Sequence, residues 1–167
     1  MLPEYHLALT FLLWYTLRTL GIQEPFLFFT MLIPGFFVDM DILVVRPHRR
    51  SPAHSIVSWI AVSLSVVPVN YHYALAIFIS SLGHIASDMI DGAVCALCPF
   101  KKKLIGINAV AKKHNIDPGS ISPVKFTKLL LHTPQVLVLE FFIDALAIGI
   151  FISSYNSLGG LLGVLLW

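Results

Sequence analysis

Residues 72–98 read HYALAIFISSLGHIASDMIDGAVCALC, and this stretch decides the fold. A helix needs about 20 mainly apolar residues to cross the ~30 Å hydrocarbon core of a bilayer, and the run is long enough to do so. His84, Asp88 and Asp91 interrupt it, spaced four and three residues apart, so they share one face of a helix. A carboxylate inside hydrocarbon costs about 2.5–3.5 kcal/mol on insertion scales, so its presence there indicates a function.

The whole chain has the composition of an integral membrane protein. Of its 167 residues, 57% are hydrophobic and 12% are charged, whereas a soluble domain carries roughly 25% charged residues. These figures exclude a disordered chain, a coiled coil and an ordinary soluble enzyme. Apolar runs occupy about 5–22, 25–45, 53–69, 72–98, 134–153 and 157–167. We predict one all-α domain over residues 1–167, a polytopic transmembrane helix bundle of about five spans plus a short C-terminal or re-entrant helix.

The basic residues predict the orientation of this bundle. Ten of the eleven Lys and Arg residues fall in two stretches, 46–50 and 101–128. Two predicted spans separate the loop at 46–52 from a long loop at about 99–133, so both loops face the same side of the membrane. The positive-inside rule places that side in the cytoplasm. We therefore predict an integral protein of the cytoplasmic (inner) membrane with a cytoplasmic N-terminus, in contact with membrane lipids and without a nucleic-acid partner.

Histidines and carboxylates gather at the cytoplasmic ends of the apolar runs. Imidazole and carboxylate together suit Zn²⁺, Mn²⁺ or Fe²⁺. We predict two or three divalent ions per chain, with zinc first among them. The predicted metal ligands are His6, Asp39, Asp41, His48, His54, His84, Asp88 and Glu140. The alternative for His54, His84 and Asp88 is a buried hydrogen-bonded network that holds helices together. For Asp39 and Asp41 the alternative is a solvated helix end in the headgroup region. For His6 it is an interfacial histidine at the start of a helix.

Three acidic positions leave more than one interpretation open. Asp91 is either a ligand or an outer carboxylate that orients His84. Asp144 lies four residues after Glu140 on one predicted helix face, and whether both are ligands stays open.

Asp39 and Asp41 are two residues apart and cannot share a helix face, so the helix is predicted to end or unwind there. Pro34 and Gly35 make such a break easier.

An ordered set of short motifs resembles the inner-membrane-associated, metal-dependent hydrolases that are described in some bacteria as LexA-regulated. The motifs are His6, then 35-GFFVDMD-41, then 48-HRRSPAHS-55, then 83-GHIASD-88, then 92-GAV-94 followed by Pro99. They cover roughly residues 6–100 in order. That family is grouped with zinc-dependent phospholipase C and P1-type nucleases. The resemblance implies an all-helical enzyme that hydrolyses phosphoesters with a cluster of metal ions.

The sequence thus predicts a membrane-embedded metal-dependent hydrolase at the cytoplasmic surface. Its substrate is expected to be an amphipathic phosphoester, such as a lipid phosphate or a phospholipid-like molecule. Arg49 or Arg50 would bind a phosphate oxygen, and Asp91 or Asp41 would accept a proton. The rival interpretation is a metal-ion or proton-coupled transporter that uses the same residues as an ion path.

Cys95 and Cys98 form a Cys-x-x-Cys motif at the inner end of the fourth run. The spacing is compatible with redox chemistry or zinc binding, but the chain has no second pair. We therefore interpret these residues as two packing cysteines.

Overall fold

The computed structural model describes residues 3–36, 38–39, 51–101, 103–107, 113–115 and 128–157. These residues form five α-helices and one 3₁₀ turn. The helices are α1 (Pro3–Thr19), α2 (Leu27–Gly35), α3 (Ile56–Val66), α4 (Tyr71–Asp91) and α5 (Pro134–Ser157), and the 3₁₀ turn is Pro52–His54. Among the described residues, the only pairing of β type is an isolated bridge between Val94 and Ile105. The predicted all-α class is confirmed.

Helix α4 is the centre of the bundle. It packs against α1, α2 and α3, while α5 packs against α1. The main apolar core lies where α1, α2, α4 and α5 meet, and Phe11 makes edge-on ring contacts there with Phe28 and Phe151. A second, smaller core lies between α4, α3 and the segment after α4, around Ile85 and Val94. The C-terminal end of α4, which carries His84 and Asp88, is therefore enclosed on several sides.

Four of the five helices are shorter than the apolar runs that predicted them, while α5, with 24 residues, extends beyond its run of 134–153. Within the described part of the chain, two segments are long and apolar enough to cross a membrane by length and composition, Tyr71–Ile90 and Pro134–Tyr155. Helix α2 has 9 residues and α3 has 11. At 1.5 Å per residue these are about 14 and 17 Å long, roughly half of a ~30 Å hydrocarbon core. The described helices thus give two candidate spans rather than the five predicted, and residues 158–167 of the last apolar run, 157–167, lie outside the described residues.

The segment after α4 folds back against the start of α3. Val94 and Ile105 pair through two backbone hydrogen bonds, which close a loop between them. Within this loop Cys95 and Cys98 form a disulfide. The sequence interpretation as two packing cysteines was therefore wrong, because two cysteines that are both buried and three residues apart here come within bonding distance.

At the other end of α4, Asn70 accepts a hydrogen bond from the His72 amide and caps the helix. Nδ1 of His72 lies 2.6 Å from Oε1 of Glu24, in the turn between α1 and α2. Hydrogen bonds from His72 and Asn70 hold the pKa of the Glu24 carboxyl below its ordinary value. This contact joins the α1–α2 turn to the start of α4.

The lowered pKa of Glu24 predicts a pH-dependent contribution to stability. A carboxyl whose pKa is lower in the folded state stabilises that state fully above its unfolded pKa of about 4.3. The contribution decreases as the pH falls below that value and is lost below the folded-state pKa. Melting curves should therefore show Glu24→Gln less stable than the wild type at pH 7, with the difference closing in acid. A difference that grows in acid would contradict this.

Candidate metal centre

Four separate segments bring imidazoles and carboxylates to one place. His6 comes from the first turns of α1, Asp39 from the segment after α2, and His54 from the 3₁₀ turn before α3. His84 and Asp88 come from α4, one turn apart. Each of the three histidines and Asp88 is exposed by 1% or less, while the Asp39 side chain is 29% exposed. The cluster is buried, and Asp39 is on its most open side.

The three imidazoles face the two carboxylates through their Nε2 atoms. Nε2 of His54 lies 3.3 Å from Asp39 Oδ1 and 3.4 Å from Asp88 Oδ2. Nε2 of His84 lies 3.6 and 3.7 Å from the same two oxygens. Ligand atoms of Asp39, His54, His84 and Asp88 all lie within 4.8 Å of one another. These four residues form a group that could hold a metal ion, as the sequence predicted.

His6 faces the other oxygen of each carboxylate. Its Nε2 lies 3.3 Å from Asp39 Oδ2 and 3.6 Å from Asp88 Oδ1. The His6 ring also stacks on the His84 ring, with centroids 4.3 Å apart. Asp39 and Asp88 therefore stand between His6 on one side and the pair His54 and His84 on the other.

Hydrogen bonds at the far ring nitrogens fix two of the tautomers. Nδ1 of His84 lies 3.1 Å from the Gly35 carbonyl oxygen, which only accepts, so the proton of the neutral ring is on Nδ1. The Ser87 hydroxyl donates its hydrogen to the His84 carbonyl oxygen. The Ser87 oxygen is therefore left as the acceptor for His6 Nδ1, 3.1 Å away. When both rings are neutral, each directs an unprotonated Nε2 toward the carboxylates.

This arrangement fits a cation. Nε2 of His6 and Nε2 of His84 are buried and have no hydrogen-bond partner among the described residues. Lone pairs aimed at carboxylate oxygens repel them unless a positive charge lies between the two. Imidazoles that donate their other N–H to a carbonyl or hydroxyl oxygen are typical of metal-ligating histidines. The donors present therefore match a divalent ion with mixed nitrogen and oxygen ligands.

The other predicted site residues have different positions. Asp41, His48, Arg49 and Arg50 lie outside the described residues. Asp91 is the last residue of α4, and its side chain is not among those described. Glu140 is buried on α5 but is not one of the four grouped ligands, so its ligand role stays a prediction. Asp144 and Glu4 line an apolar groove between α1 and α5.

Sequence reasoning missed the groups that orient the histidines. Ser87 and the Gly35 carbonyl hold His6 and His84, and Thr10 donates to the His6 carbonyl oxygen. A signal was present, because Ser87 follows His84 by three residues and Thr10 follows His6 by four. Small polar residues at that spacing share the face of the predicted ligand. The Gly35 carbonyl had no such signal.

Ser87→Ala is expected to lower metal affinity by about 10–100-fold, because His6 Nδ1 loses its acceptor and the ring is no longer held in place. The measurement is a metal titration of the purified protein followed by calorimetry. Ser81→Ala is the matched control, since Ser81 is also on α4 and donates its hydroxyl to the Phe78 carbonyl oxygen. Equal affinities in the two variants would rule out the orienting role of Ser87.

Comparison with protein-family models, with curated proteins and with solved structures gives no match to this chain. Its function is therefore inferred from the residues of the cluster, and the resemblance to the membrane-associated hydrolases stays a prediction.

Proposed function

We propose that this chain is a membrane-embedded metal-dependent hydrolase that acts on phosphoesters at the membrane surface. The single observation that carries the proposal is the buried convergence of three imidazole Nε2 atoms on the carboxylates of Asp39 and Asp88. Zinc is the first choice of metal, because this donor set of nitrogen and oxygen suits it, and manganese and iron suit the same set.

Asp39 and Asp88 lie between His6 on one side and the pair His54 and His84 on the other, which favours two metal ions over one. Each carboxylate presents one oxygen to His6 and the other to His54 and His84. Asp39 and Asp88 would thus help to hold one ion with His6 and a second ion with His54 and His84. Hydrolases of phosphoesters commonly use such pairs to stabilise the attacking and the leaving oxygen. Asp41, Asp91 or Glu140 would complete the coordination.

The chemistry that divalent ions supply at such a donor set is a water of lowered pKa and positive charge beside the phosphoryl oxygens. The chain itself holds the donor atoms rigid through the Gly35 and Ser87 hydrogen bonds and excludes bulk water on the sides of the histidines. The partly exposed Asp39 marks the side from which a substrate would approach. Arg49 or Arg50 would bind a phosphoryl oxygen, and Asp91 or Asp41 would accept the proton.

Large exposed apolar side chains support embedding in lipid. Helix α5 exposes Phe141 by 76%, Val138 by 67% and Ile148 by 59%. A water-soluble protein rarely leaves such a continuous apolar face open. If lipid covers these faces, the metal cluster lies near headgroup depth, and a substrate with a phosphate headgroup and an apolar tail would fit that position.

The test measures phosphate release and metal flux on one preparation. Purified protein should release phosphate from a lipid phosphate or aryl phosphate, lose this activity after chelation and regain it with Zn²⁺ or Mn²⁺. His84→Ala should be inactive, and the control His72→Ala, at the other end of α4, should stay active. Metal flux into liposomes without phosphate release from any phosphoester would refute the hydrolase and support the transporter.

A further inference from the structure

The disulfide of Cys95 and Cys98 closes a four-residue loop in the segment that follows α4 and packs against the start of α3. Backbone and side-chain hydrogen bonds connect this loop to the residues that follow His54 in the chain. The Ile56 amide donates to the Ala96 carbonyl oxygen at 2.9 Å. The Ser55 hydroxyl lies within hydrogen-bond distance of the Ala96 and Cys98 carbonyl oxygens. The loop therefore supplies the acceptors that hold the start of α3.

These contacts bear on His54 because no flexible segment lies between them. Ser55 and His54 are both fully buried, and they are consecutive residues. The Ser55 amide also donates to the Pro52 carbonyl oxygen, which closes the 3₁₀ turn that carries His54. A movement of the Ala96 and Cys98 carbonyls would thus shift Ser55, and with it the His54 imidazole.

We infer that Cys95 and Cys98 are a redox modification site whose thiol or disulfide state sets the metal affinity of the cluster through His54. The inference rests on the proposed metal centre. The predicted topology places this loop on the cytoplasmic side, where disulfides are seldom structural and are usually transient, catalytic or redox-sensing. The partner that would reduce it is a dithiol.

The exchange balances as follows in atoms and electrons. A thiolate of the dithiol attacks one sulfur, with Cys98 the more exposed residue at 8% against 1% for Cys95. The Cys95–Cys98 bond breaks, a mixed disulfide forms and the departing thiolate takes a proton. The second thiol of the dithiol then attacks the mixed disulfide. The chain gains two electrons and two protons, and the dithiol becomes a disulfide.

Reduction would loosen the support of His54. Two thiols that are not bonded must move apart to van der Waals contact, and both carbonyls that hold Ser55 and Ile56 belong to the loop that has to open. His6 and His84 are held by other groups, Ser87 and Gly35. The reduced chain should therefore still bind metal through His6 and His84, but with lower affinity.

The experiment titrates the purified full chain with Co²⁺ in its oxidised and reduced states. Reduction uses dithiothreitol, which is removed by desalting under argon before the titration, and alkylation with mass analysis verifies the thiol state. We expect reduction to weaken Co²⁺ binding by about 10–100-fold, the range found when a group that orients a ligand is lost. Reoxidation should restore it. A thiolate-to-cobalt charge-transfer band would show cobalt taken by the freed cysteines instead and would overturn the inference.

Two serine variants, one directly before α3 and one within it, separate the coupling from general damage. Ser55→Ala removes the hydroxyl that reaches the loop, so its affinity should be low in both states. Ser65→Ala removes an exposed hydroxyl of α3 that donates to the Val62 carbonyl oxygen, so it should keep the wild-type redox dependence. Cys95→Ser/Cys98→Ser should bind like the reduced wild type and ignore the dithiol. If that variant does not fold, the comparison of oxidised and reduced wild type decides alone.

Equal Co²⁺ affinity in the oxidised and reduced wild type would overturn the redox inference while leaving the metal centre in place. Absence of Co²⁺ binding in both states would overturn the metal centre, and the redox inference with it.

Discussion

Replacing His84 or Asp88 by alanine is expected to reduce metal affinity by well over about 100-fold, more than the loss of an orienting group causes. Asp88 faces His6 through Oδ1 and faces His54 and His84 through Oδ2, so its loss affects both sides of the cluster. The neutral His84 ring directs its Nε2 lone pair toward Asp39 Oδ1 and Asp88 Oδ2, 3.6 and 3.7 Å away, where a metal ion would satisfy it. The measurement is metal content after dialysis, together with a Zn²⁺ titration.

The stability of the metal-free variants distinguishes a metal site from a structural network. If the cluster were a hydrogen-bonded network that holds the helices together, removing Asp88 would take a carboxylate partner from the buried imidazoles. The loss of one partner of a buried pair costs about 3–5 kcal/mol of folding stability. At a metal site, removing Asp88 from the metal-free protein instead relieves repulsion between a carboxylate and imidazole lone pairs. We therefore expect Asp88→Ala without metal to melt near the wild type. Unchanged metal content in either variant would assign the cluster to the structural role.

His72→Ala is the matched control for His84→Ala. Both histidines are on α4, but His72 contacts Glu24 at the opposite end of the helix. It should bind metal as the wild type does, so a loss of metal there would indicate general damage to α4.

The position of the cluster could be predicted from sequence because of two features, the helical spacing of some ligands and the placement of the others in the apolar runs. His84 and Asp88 are one helical turn apart, a local relation that folding preserves. His6, Asp39 and His54 are distant in the chain, and they were connected by the shared membrane depth of their runs and by the ordered motifs of the resemblance. The structure does place all five together. The group of Asp39, His54, His84 and Asp88 supports the predicted metal cofactor, without showing which metal or how many.

The lengths of the helices could not be predicted from run length. Hydropathy counts apolar residues but does not register where backbone chemistry ends a helix. Helix α2 ends at Gly35, directly after Pro34, although the apolar run continues to about residue 45. Helix α3 begins only after the 3₁₀ turn at Pro52–His54 and ends at Val66, close to Pro68, which has no amide hydrogen to donate. Pro34 and Gly35 did indicate a break in the second run, and α2 ends at Gly35, before the position at Asp39 and Asp41 where the break was predicted. The same weight given to Pro68 would have shortened the third run.

The disulfide and the orienting groups depended on tertiary packing. Nothing in the spacing of Cys95 and Cys98 shows that the loop folds back on α3. Likewise, the Gly35 carbonyl becomes a partner of His84 only because α2 packs against α4. Backbone groups carry no residue-type signal, so such contacts escape any pattern of side chains.

Gly35→Ala is expected to lower both the free energy of unfolding and the metal affinity. A Cβ on Gly35 would lie well inside van der Waals contact with Thr10 Oγ1 and 2.5 Å from Ser80 Oγ. Neither hydroxyl can turn away freely, because Thr10 donates to the His6 carbonyl oxygen and Ser80 to the Met31 carbonyl oxygen. Each would leave a buried donor unsatisfied, at about 1–3 kcal/mol. Helix α2 must therefore shift, and overpacking of this kind costs about 1–3 kcal/mol.

The same shift should weaken metal binding, because the Gly35 carbonyl that holds His84 moves with α2. Gly149→Ala is the matched control, since a Cβ at Gly149 on α5 meets nothing within 4 Å. There the exchange should raise stability by up to about 1 kcal/mol through helix propensity alone and leave metal affinity unchanged. Melting curves and Zn²⁺ titrations of both variants give the comparison. If Gly35→Ala stabilises the chain as Gly149→Ala does, the close contact of α2 with α1 and α4 does not support the metal cluster.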